Sequence, residues 1–523
     1  MNPWHGKKVP AAAVRNKTAA SAGARWLALQ SLLAFSQQGI FVGRTLDELF
    51  SQHRTPPRER RLATELAAET IRRGLSLDAI LSHYVVRPRE SVEPDLWQLL
   101  QLGVCQLLCL FHIPPHAAVH ETVALCEQLG KPRAKGFVNG TLRSIEREIL
   151  NATIRTSQTN ENDFPRADSQ QILPEDLHQN CGIGMTFQPA HLTLRDLRFE
   201  HLTGHLWPVV VPRGTELELH CIELARSVFA SPQENAVDYI SQISGLPAWL
   251  IQRWDTQFGD RRKILELALW YTTPGRMSLR VNPEKNSRAG ILQMLRDQGV
   301  RAEAGVLPES IQLAGSIAVG DLPEFQSGGF SVQDESAMQA THLLNPQRGE
   351  AILDLCAAPG GKSCHLAECL QGTGRVVACD VSEERLRTIT HNINRLQLKN
   401  IEVWAVTPDG EHLPPGPFDA ALVDVPCSNT GVLGKRPEAR WRLTPTSLVE
   451  LIPLQKRLLN QALDRVRSGG RVVYSTCSID REENEQVVRA VLAGRSDSRL
   501  ISEMLHWPGH PADGGFQALI QRD

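Results

Sequence analysis

Residues 352–362, with the sequence ILDLCAAPGGK, constrain the fold of this chain more than any other stretch. An apolar run ends in small residues, a proline and two glycines, and an amphipathic helical pattern then begins at Lys362. This order predicts a strand, a tight loop and a helix, as at the start of an open α/β sheet. The loop after the first strand of such a sheet binds nucleotide-like ligands, because glycines let the backbone approach them closely.

The rest of the C-terminal part continues the pattern. In residues 346–523, apolar strand-length runs alternate with helical patterns, the order expected for a doubly wound parallel sheet. We therefore assign residues 346–523 to one α/β domain. Ligands of such sheets bind at the carboxyl ends of the strands, so the polar residues that follow each strand are the candidate site residues.

The bulk properties indicate a soluble chain of several domains. A length of 523 residues exceeds one ordinary domain, and 41% hydrophobic with 22% charged residues is typical of globular proteins. The net charge of −2 means that any nucleic-acid surface is a local patch. Glutamines at positions 98, 101 and 106 interrupt the apolar stretch 96–113, which favours a buried helix over a membrane span.

Cysteine usage and the N-terminus indicate the compartment. The 11 cysteines are scattered and form no CxxC pair, which fits reduced thiols better than a disulfide framework or a zinc site. No unbroken apolar segment of a secretory signal follows the early lysines. We expect a cytoplasmic protein, without a membrane or a metal ion, that is a monomer.

Composition and periodicity divide the chain into five segments. Residues 1–25 form a flexible basic arm, 26–150 a helical domain, 151–233 a polar linker and insertion of unknown function, 234–345 a small α+β domain, and 346–523 the α/β domain. Arginines within the helical domain fit either a solvated face or a phosphate-contacting face: Arg58, Arg60, Arg61, Arg72 and Arg73.

The loop at residues 356–362 is compatible with several ligands at first. Its GGKS tail resembles a phosphate-binding loop, but that motif needs a glycine six positions before the lysine, where Cys356 stands. Asp380 ends the next strand, RVVACD, where an acid accepts hydrogen bonds from a ribose diol. That role fits both NAD and S-adenosylmethionine, and the absence of GxGxxG spacing in APGG disfavours NAD.

Two further strands each end at a cysteine. FDAALVDVPCSNTG leads to Cys427 and GGRVVYSTCS leads to Cys477, while Asp424 lies three positions before Cys427. A thiolate that adds to C6 of a cytosine makes C5 able to attack an activated methyl group, an acid near N3 assists, and a base then removes the C5 proton. Two cysteines and one aspartate can fill these roles. A lone cysteine is more often a small buried hydrophobe, but two in this context favour the catalytic interpretation.

The motifs CAAPGGK, DVPCSNTG and STCS, in this order, resemble the NOL1/NOP2/Sun family of RNA cytosine-C5 methyltransferases. Residues 58–147, above all IPPHAAVHETVALCEQLGKPRAKGFVNGTLRSI at 113–145, resemble the NusB-like RNA-binding domain of the bacterial 16S ribosomal RNA methyltransferases of the Sun/Fmu type. RVNP at 280–283 and FSVQDESAMQA at 330–340 resemble the RNA-recognition-motif-like subdomain and the lead-in to the catalytic sheet. The implied fold is an all-α NusB-like domain, an α+β domain like the RNA-recognition motif, and a Rossmann-like class I methyltransferase domain.

The resemblance also implies roles for particular residues. Cys477 is the implied nucleophile and Cys427 assists product release, while Asp424 contacts the cytosine beside the cofactor. Asp380 binds the ribose of S-adenosylmethionine and Asp409, in TPDG, its adenine end, although the family more often has GDG or GDA there. Lys362 is expected to reach the active site as well as to shape the cofactor loop, which comprises Cys356, Ala357, Ala358, Pro359, Gly360, Gly361 and Lys362.

The basic loop LGKRPEARWR follows the first cysteine and is predicted to contact RNA. Basic side chains around an aromatic ring suit a phosphate track with a stacking platform, and a structural tryptophan with solvated arginines is the alternative. The residues concerned are Lys435, Arg436, Arg440, Trp441 and Arg442.

The expected substrate is a cytosine in a single-stranded loop of small-subunit ribosomal RNA. A tRNA cytosine-C5 methyltransferase and a non-catalytic RNA-binding assembly or antitermination factor are the alternatives.

Overall fold

The computed structural model describes residues 23–156, 202–213, 216–314, 317–407, 412–509 and 513–523. These residues divide into two compact units, of which the first is Met1–Pro212 with Leu217–Pro274 and the second is Gly275–Asp523 with Arg213–Glu216. The predicted basic arm, residues 1–25, lies outside the described residues up to position 22. No helix in the described ranges has the length and apolar character needed to cross a bilayer.

The first unit begins with a helical bundle. Its helices are α1 (Ala24–Gln38), α2 (Val42–His53), α3 (Pro57–Arg72), α4 (Gly74–Tyr84), α5 (Pro94–Cys109), α6 (Pro115–Gln128) and α7 (Lys135–Thr156). Prolines occupy the first turn of α3, α5 and α6, where a missing N–H costs no hydrogen bond. Leu66, Ile71 and Ile80 are fully buried along α3 and α4.

Two of the five arginines considered above are not on a surface. Arg72 and Arg73 are 2% and 3% exposed and both pair with Glu69. Neither the solvated nor the phosphate-contacting interpretation therefore applies to them. Both ion pairs are local, with Glu69 of α3, and they balance the charge of the buried guanidinium groups.

The segment assigned as an insertion contributes a two-stranded sheet, β1 (Leu206–Arg213) and β2 (Glu216–Glu223), while residues 157–201 lie outside the described ranges. Three helices follow, α8 (Ala236–Ser244), α9 (Ala248–Phe258) and α10 (Arg261–Trp270), and belong to the first unit. Sequence analysis placed them in the α+β segment 234–345. The small sheet of that segment starts only at Met277.

The second unit opens with a four-stranded antiparallel sheet of order β4-β5-β3-β6. Its elements are β3 (Met277–Val281), α11 (Arg288–Asp297), β4 (Ala302–Ala304), β5 (Ser310–Leu313), α12 (Pro323–Gln326) and β6 (Phe330–Val332). Leu279, Leu295, Ile311 and Phe330 form its core. This is the predicted small α+β fold.

A seven-stranded sheet of order β12-β13-β11-β10-β7-β8-β9 forms the rest of the second unit. The strands β7 (Ala351–Asp354), β8 (Arg375–Asp380), β9 (Ile401–Ala405), β10 (Phe418–Asp424) and β11 (Val466–Thr476) run parallel, while β12 (Ser498–His506) and β13 (Gly515–Arg522) pair antiparallel. Its helices are α13 (Glu335–Leu344), α14 (Gly361–Cys369), α15 (Glu383–Leu396), α16 (Ala439–Arg442), α17 (Pro445–Arg465) and α18 (Glu485–Ala493). The expected α/β fold is thus present, and in this sheet β13, next to the edge strand β12, runs antiparallel to its two neighbours.

Alternating residues of the central strands face opposite helical layers, the period of two expected of strands buried on both faces. Leu353 and Val423 pack with Leu459 of α17, whereas Ile352 and Leu422 pack on the other face. The reversal of strand order between β7 and β10 leaves a crevice at their carboxyl ends. The candidate residues lie at this edge of the sheet.

The small sheet and the large sheet are joined by a buried ion pair. Arg280 of β3 and Glu368 of α14 are 1% and 2% exposed at their side chains and are paired directly. Arg395 of α15 donates to the carbonyls of Phe325 and Phe330 and lies over the Phe325 ring at 4.0 Å. These contacts connect two sheets that are formed by separate segments of the chain.

Candidate active site

The loop between β7 and α14 is held against the neighbouring strand β8. The backbone N–H of Ala357 donates to the Cys379 carbonyl at 2.9 Å, and the Gly360 N–H donates to the Ala357 carbonyl at 2.7 Å. Gly360 has φ +99°, and a Cβ there would lie 3.2 Å from the side chain of Ile389. Only glycine suits that conformation and that space. The loop predicted from its glycines therefore has the expected tight form.

Asp380 ends β8 beside this loop, as predicted. The side chain is 2% exposed, and its Oδ2 accepts from the Ala358 N–H at 3.2 Å while Oδ1 accepts from the Val381 N–H at 2.9 Å. Arg385 also lies 3.2 Å from Oδ2. Asp380 thus holds the loop without a ligand. A ribose hydroxyl would compete with the two 3.2 Å contacts at Oδ2, those from the Ala358 N–H and from Arg385.

Asp354 at the end of β7 is a polar residue of this loop that sequence analysis did not single out. It is fully buried, and its Oδ2 accepts from the Ser363 hydroxyl at 2.6 Å, while Oδ1 has no hydrogen-bond partner. Burial raises the pKa of Asp354 to about 7. A buried acceptor without a partner is unfavourable unless a ligand satisfies it. The acid before CAAPGGK at a strand end was the available signal.

Lys362 and Asp424 form an ion pair across the crevice. Lys362 Nζ lies 2.7 Å from Asp424 Oδ2, and Ser475 donates to Asp424 Oδ1 at 2.9 Å. Burial opposes the charge of Lys362, but the Asp424 carboxylate outweighs it and the pKa of Lys362 is raised. Lys362 is therefore protonated at neutral pH. The prediction that Lys362 reaches beyond the loop agrees with this contact.

The two cysteines meet at the same edge of the sheet. Cys427 follows β10 and Cys477 follows β11, and their Sγ atoms are 3.1 Å apart. The hydrogen bond with Cys477 and burial raise the pKa of Cys427 well above its ordinary value. Cys427 accordingly keeps its proton and can donate it to the other sulfur. Cys477 Sγ also lies 3.3 Å from Asn429 Oδ1.

A buried network holds the loop that carries Cys427. Glu483 is fully buried, and its Oε1 accepts from the Ser428 N–H and from Gln455 Nε2, each at 2.9 Å. The Ser428 hydroxyl bonds to the other carboxylate oxygen of Glu483 and lies 3.1 Å from the Ser478 hydroxyl. Hydrogen bonds thus link Ser428 and Ser478, the residues that directly follow the two cysteines. Sequence analysis did not identify Glu483, because the link depends on tertiary structure.

The basic loop differs from its prediction as a set of RNA contacts. Arg440 and Trp441 are 0% and 3% exposed, so the guanidinium cannot follow a phosphate backbone and the ring cannot stack on a base. Lys435 Nζ lies 2.7 Å from Asp334 and 2.8 Å from Asp513, between two carboxylates. Arg440 Nη2 donates to the Leu433 carbonyl at 3.1 Å, so this guanidinium is used within the protein. Arg436 and Arg442 are exposed, as an RNA contact requires.

One predicted residue, Asp409, lies outside the described residues, since positions 408–411 are not described. The other predicted cofactor and catalytic residues gather at the carboxyl ends of β7, β8, β10 and β11. Asn429, with φ +61°, is a further polar residue of this edge: it lies against Cys477, and Arg436 Nη1 donates to its Oδ1 at 2.7 Å. The NTG sequence after PCS was the available signal for a turn at this position.

Comparison with known families matches all three types of domain. Residues 341–517 match the model described as 16S rRNA methyltransferase RsmB/F, residues 22–147 match the NusB family, and residues 246–320 match the ferredoxin-like domain of RsmF/B-like methyltransferases. The predicted family resemblance and fold class are confirmed by these matches.

Individual relatives match nearly the whole chain. The ribosomal RNA small subunit methyltransferases B of Citrobacter koseri and Proteus mirabilis are each 29% identical, covering 95% of this chain and 95% and 98% of their own lengths. Among solved structures, that of PH0851 aligns with a TM-score of 0.67 at 21% identity, covering 97% of this chain and 100% of that one. At that identity the structural likeness concerns the fold.

The methyltransferase match identifies S-adenosylmethionine as the cofactor, as predicted. The residues fit this group: Asp354 Oδ1 is a buried acceptor without a partner, suited to a charged amine, and Asp380 is an acid at the end of the next strand, suited to a diol. Gly360 keeps the intervening loop free of a side chain.

Proposed function

We propose that this chain, which belongs to the RsmB/F family of ribosomal RNA methyltransferases, methylates C5 of a cytosine in small-subunit ribosomal RNA. The observation that carries the proposal is the pair of Sγ atoms of Cys427 and Cys477, 3.1 Å apart beside the Asp424–Lys362 ion pair. Methylation of a ring nitrogen or of a ribose hydroxyl needs no nucleophilic thiol. Methylation at C5 of cytosine needs one thiol to activate the ring and one base to restore it.

Cys477 is the proposed nucleophile. Its thiolate attacks C6 of the cytosine, a bond forms between Sγ and C6, and an electron pair of the ring moves towards N3. The high pKa of Cys427 supports this assignment, because a sulfur that keeps its proton donates a hydrogen bond to its thiolate neighbour.

In this proposal, Asp424 and Lys362 act on the side of the ring opposite to Cys477. Asp424 is oriented by Lys362 and Ser475, and the protonated Lys362 supplies a positive charge where the ring gains electrons. N3 accepts a proton that the Lys362 ammonium passes through Asp424, which leaves C5 as an enamine-like carbon, and the proton returns to this pair when the product forms. S-adenosylmethionine would supply the electrophilic methyl group, and its bond from the methyl group to the sulfonium sulfur would break as the bond to C5 forms, which leaves S-adenosylhomocysteine.

Cys427 completes the reaction by removing the proton from C5. The electron pair of that C–H bond restores the ring double bond, the bond between Cys477 Sγ and C6 breaks, and N3 loses its added proton. While Cys477 is bound to C6 it is an uncharged thioether. The hydrogen bond and charge that raise the pKa of Cys427 are then removed, so Cys427 gives up its thiol proton to water more readily and is available as the thiolate that accepts the C5 proton.

The choice of ribosomal RNA over tRNA depends on the first unit. A NusB match at residues 22–147 precedes the catalytic sheet, and both relatives named above carry ribosomal RNA in their names. The intact cysteine pair and ion pair argue against a non-catalytic assembly factor. A flipped cytosine from a single-stranded loop suits a pocket at the edge of a sheet.

Bisulfite sequencing of ribosomal RNA from cells with and without this gene tests the proposal. We expect one methylcytosine of small-subunit ribosomal RNA to disappear on deletion and to return with the wild-type gene but not with Cys477→Ala. An unchanged ribosomal pattern with a lost tRNA methylcytosine would identify tRNA as the substrate. Retained methylation in the Cys477→Ala strain would refute the mechanism.

A further inference from the structure

A cluster of three potential metal ligands lies in the second unit, apart from the two cysteines. Glu309 directly precedes β5, His342 is in α13 and His365 is in α14. One ligand atom of each lies within 4.8 Å of the others. The scattered cysteines led to the prediction that no metal ion binds, and these three residues are far apart in the chain and follow no ligand spacing.

His365 is a buried imidazole whose nitrogens lack hydrogen-bond partners. Its side chain is 6% exposed, its Nδ1 has no hydrogen-bond partner, and its Nε2 lies 3.6 Å from Glu309 Oε1, beyond hydrogen-bond distance. A buried imidazole that makes no hydrogen bond at Nδ1 and none at Nε2 is costly unless something binds it.

The geometry suits a metal ion better than a proton. Two atoms that bind one tetrahedral zinc ion at about 2.0–2.1 Å lie roughly 3.3 Å apart. The separation of Glu309 Oε1 from His365 Nε2 is 3.6 Å, and that from His342 Nε2 is 2.6 Å. A small outward movement of the exposed His342 would bring its Nε2 to such a spacing from Glu309 Oε1, and the ligand atoms of the two histidines lie within 4.8 Å of each other.

We propose that Glu309, His342 and His365 bind one divalent transition metal ion of the zinc type. Two imidazoles and one carboxylate are a zinc ligand set, which leaves a fourth position for water. His342 is 41% exposed at its side chain and provides the route of entry, whereas Glu309 is 14% exposed. The proposal does not depend on the methyltransferase reaction.

The local charge permits a dication. The guanidinium of Arg280 is paired with the buried Glu368, so its charge is balanced within the protein. Glu309 supplies one negative charge to the ion. The ion would connect the small sheet, through Glu309, with α13 and with α14, the helix that starts at the cofactor loop.

Zinc binding to the full-length chain tests the proposal. The protein is purified without a histidine tag, treated with a chelator, exchanged into a reducing buffer and titrated with zinc chloride by calorimetry, alongside His342→Ala, Glu309→Gln and His391→Ala. His391 is an exposed histidine of α15 outside the cluster and serves as the matched control.

We expect the wild type and His391→Ala to bind one equivalent of zinc at this site with the same affinity. His342→Ala and Glu309→Gln should bind that equivalent at least tenfold more weakly. Zinc should raise the melting temperature of the first two proteins and not of the others. Zinc held by the active-site cysteines would remain in every variant and cancel in this comparison. Equal affinity and stoichiometry in the wild type and His342→Ala would overturn the proposal.

Discussion

Replacement of each active-site cysteine by alanine separates their roles. Cys427→Ala removes the sulfur 3.1 Å from Cys477 Sγ, and the neighbours of Cys477 provide no substitute base. Asn429 has no titratable group, and Lys362 is held protonated by Asp424. Cys427→Ala should therefore complete methyl transfer and then retain the RNA through the bond to Cys477.

The magnitude follows from the loss of one general base. Such a group contributes about 10²–10⁴-fold to a proton transfer. This corresponds to roughly 3–5 kcal/mol of barrier. Release of the methylated RNA should slow by that factor in Cys427→Ala, while formation of the covalent complex stays within about tenfold of the wild type. Cys477→Ala should form no such complex, because it lacks the attacking sulfur.

The assay mixes enzyme, S-adenosylmethionine and labelled small-subunit ribosomal RNA, and follows RNA that stays with the protein on a denaturing gel. Cys221→Ala, at an exposed thiol of the first unit, is the control and should release RNA as the wild type does. A denaturation-resistant complex with Cys477→Ala, or release at the wild-type rate from Cys427→Ala, would reverse or refute the assignment.

Four further changes follow from the same structure. Lys362→Met removes the charge beside Asp424 that is proposed to act on the ring, and it should lower single-turnover methylation about 10²–10³-fold with folding retained by circular dichroism. Burial raises the pKa of Asp354 from 3.8 to about 7, so the wild type loses free energy of unfolding as pH rises through 7. Between pH 4 and pH 7.5, the free energy of unfolding of Asp354→Asn, measured with denaturant, should therefore rise by about 3–5 kcal/mol relative to that of the wild type. The same dependence of this free energy on pH in both proteins would contradict the prediction. Arg436→Ala should weaken RNA binding in filter assays and lower the slope of affinity against salt by about 1, whereas an unchanged slope would exclude a phosphate contact. Arg280→Met leaves a buried carboxylate unpaired and should cost about 3–5 kcal/mol of unfolding free energy, and a loss below 1 kcal/mol would show that water reaches the site.

The sequence predicted those parts of the site that local patterns determine. A strand followed by APGG predicts the cofactor loop, and the structure has it, with Gly360 in the conformation that only glycine adopts readily. Cys427 and Cys477 each follow an apolar strand, and parallel strands bring their carboxyl ends to one edge. Periodicity and sheet topology together were therefore enough to place two residues 50 positions apart within contact.

The remaining features depend on packing that no local pattern encodes. LGKRPEARWR has the composition of an RNA-binding loop, yet Trp441 is buried and Lys435 is paired with Asp334 and Asp513, one far before and one far after it in the chain. The partner of a charged residue decides whether it faces solvent, and that partner is set by tertiary structure. For the same reason, the proximity of Glu309 and His365 could not be predicted from the sequence.

The ion pair between Arg280 and Glu368 bears on how this protein can be divided into fragments. A cut at residue 345, where composition changes, would separate Glu368 from its arginine and would remove α13, whose Ala340 and Leu344 pack with Leu366 of α14. A catalytic fragment should instead begin before β3, near Gly275. The smallest portion able to fold by itself thus includes both sheets, and gene truncations or domain exchanges within the family should respect that limit.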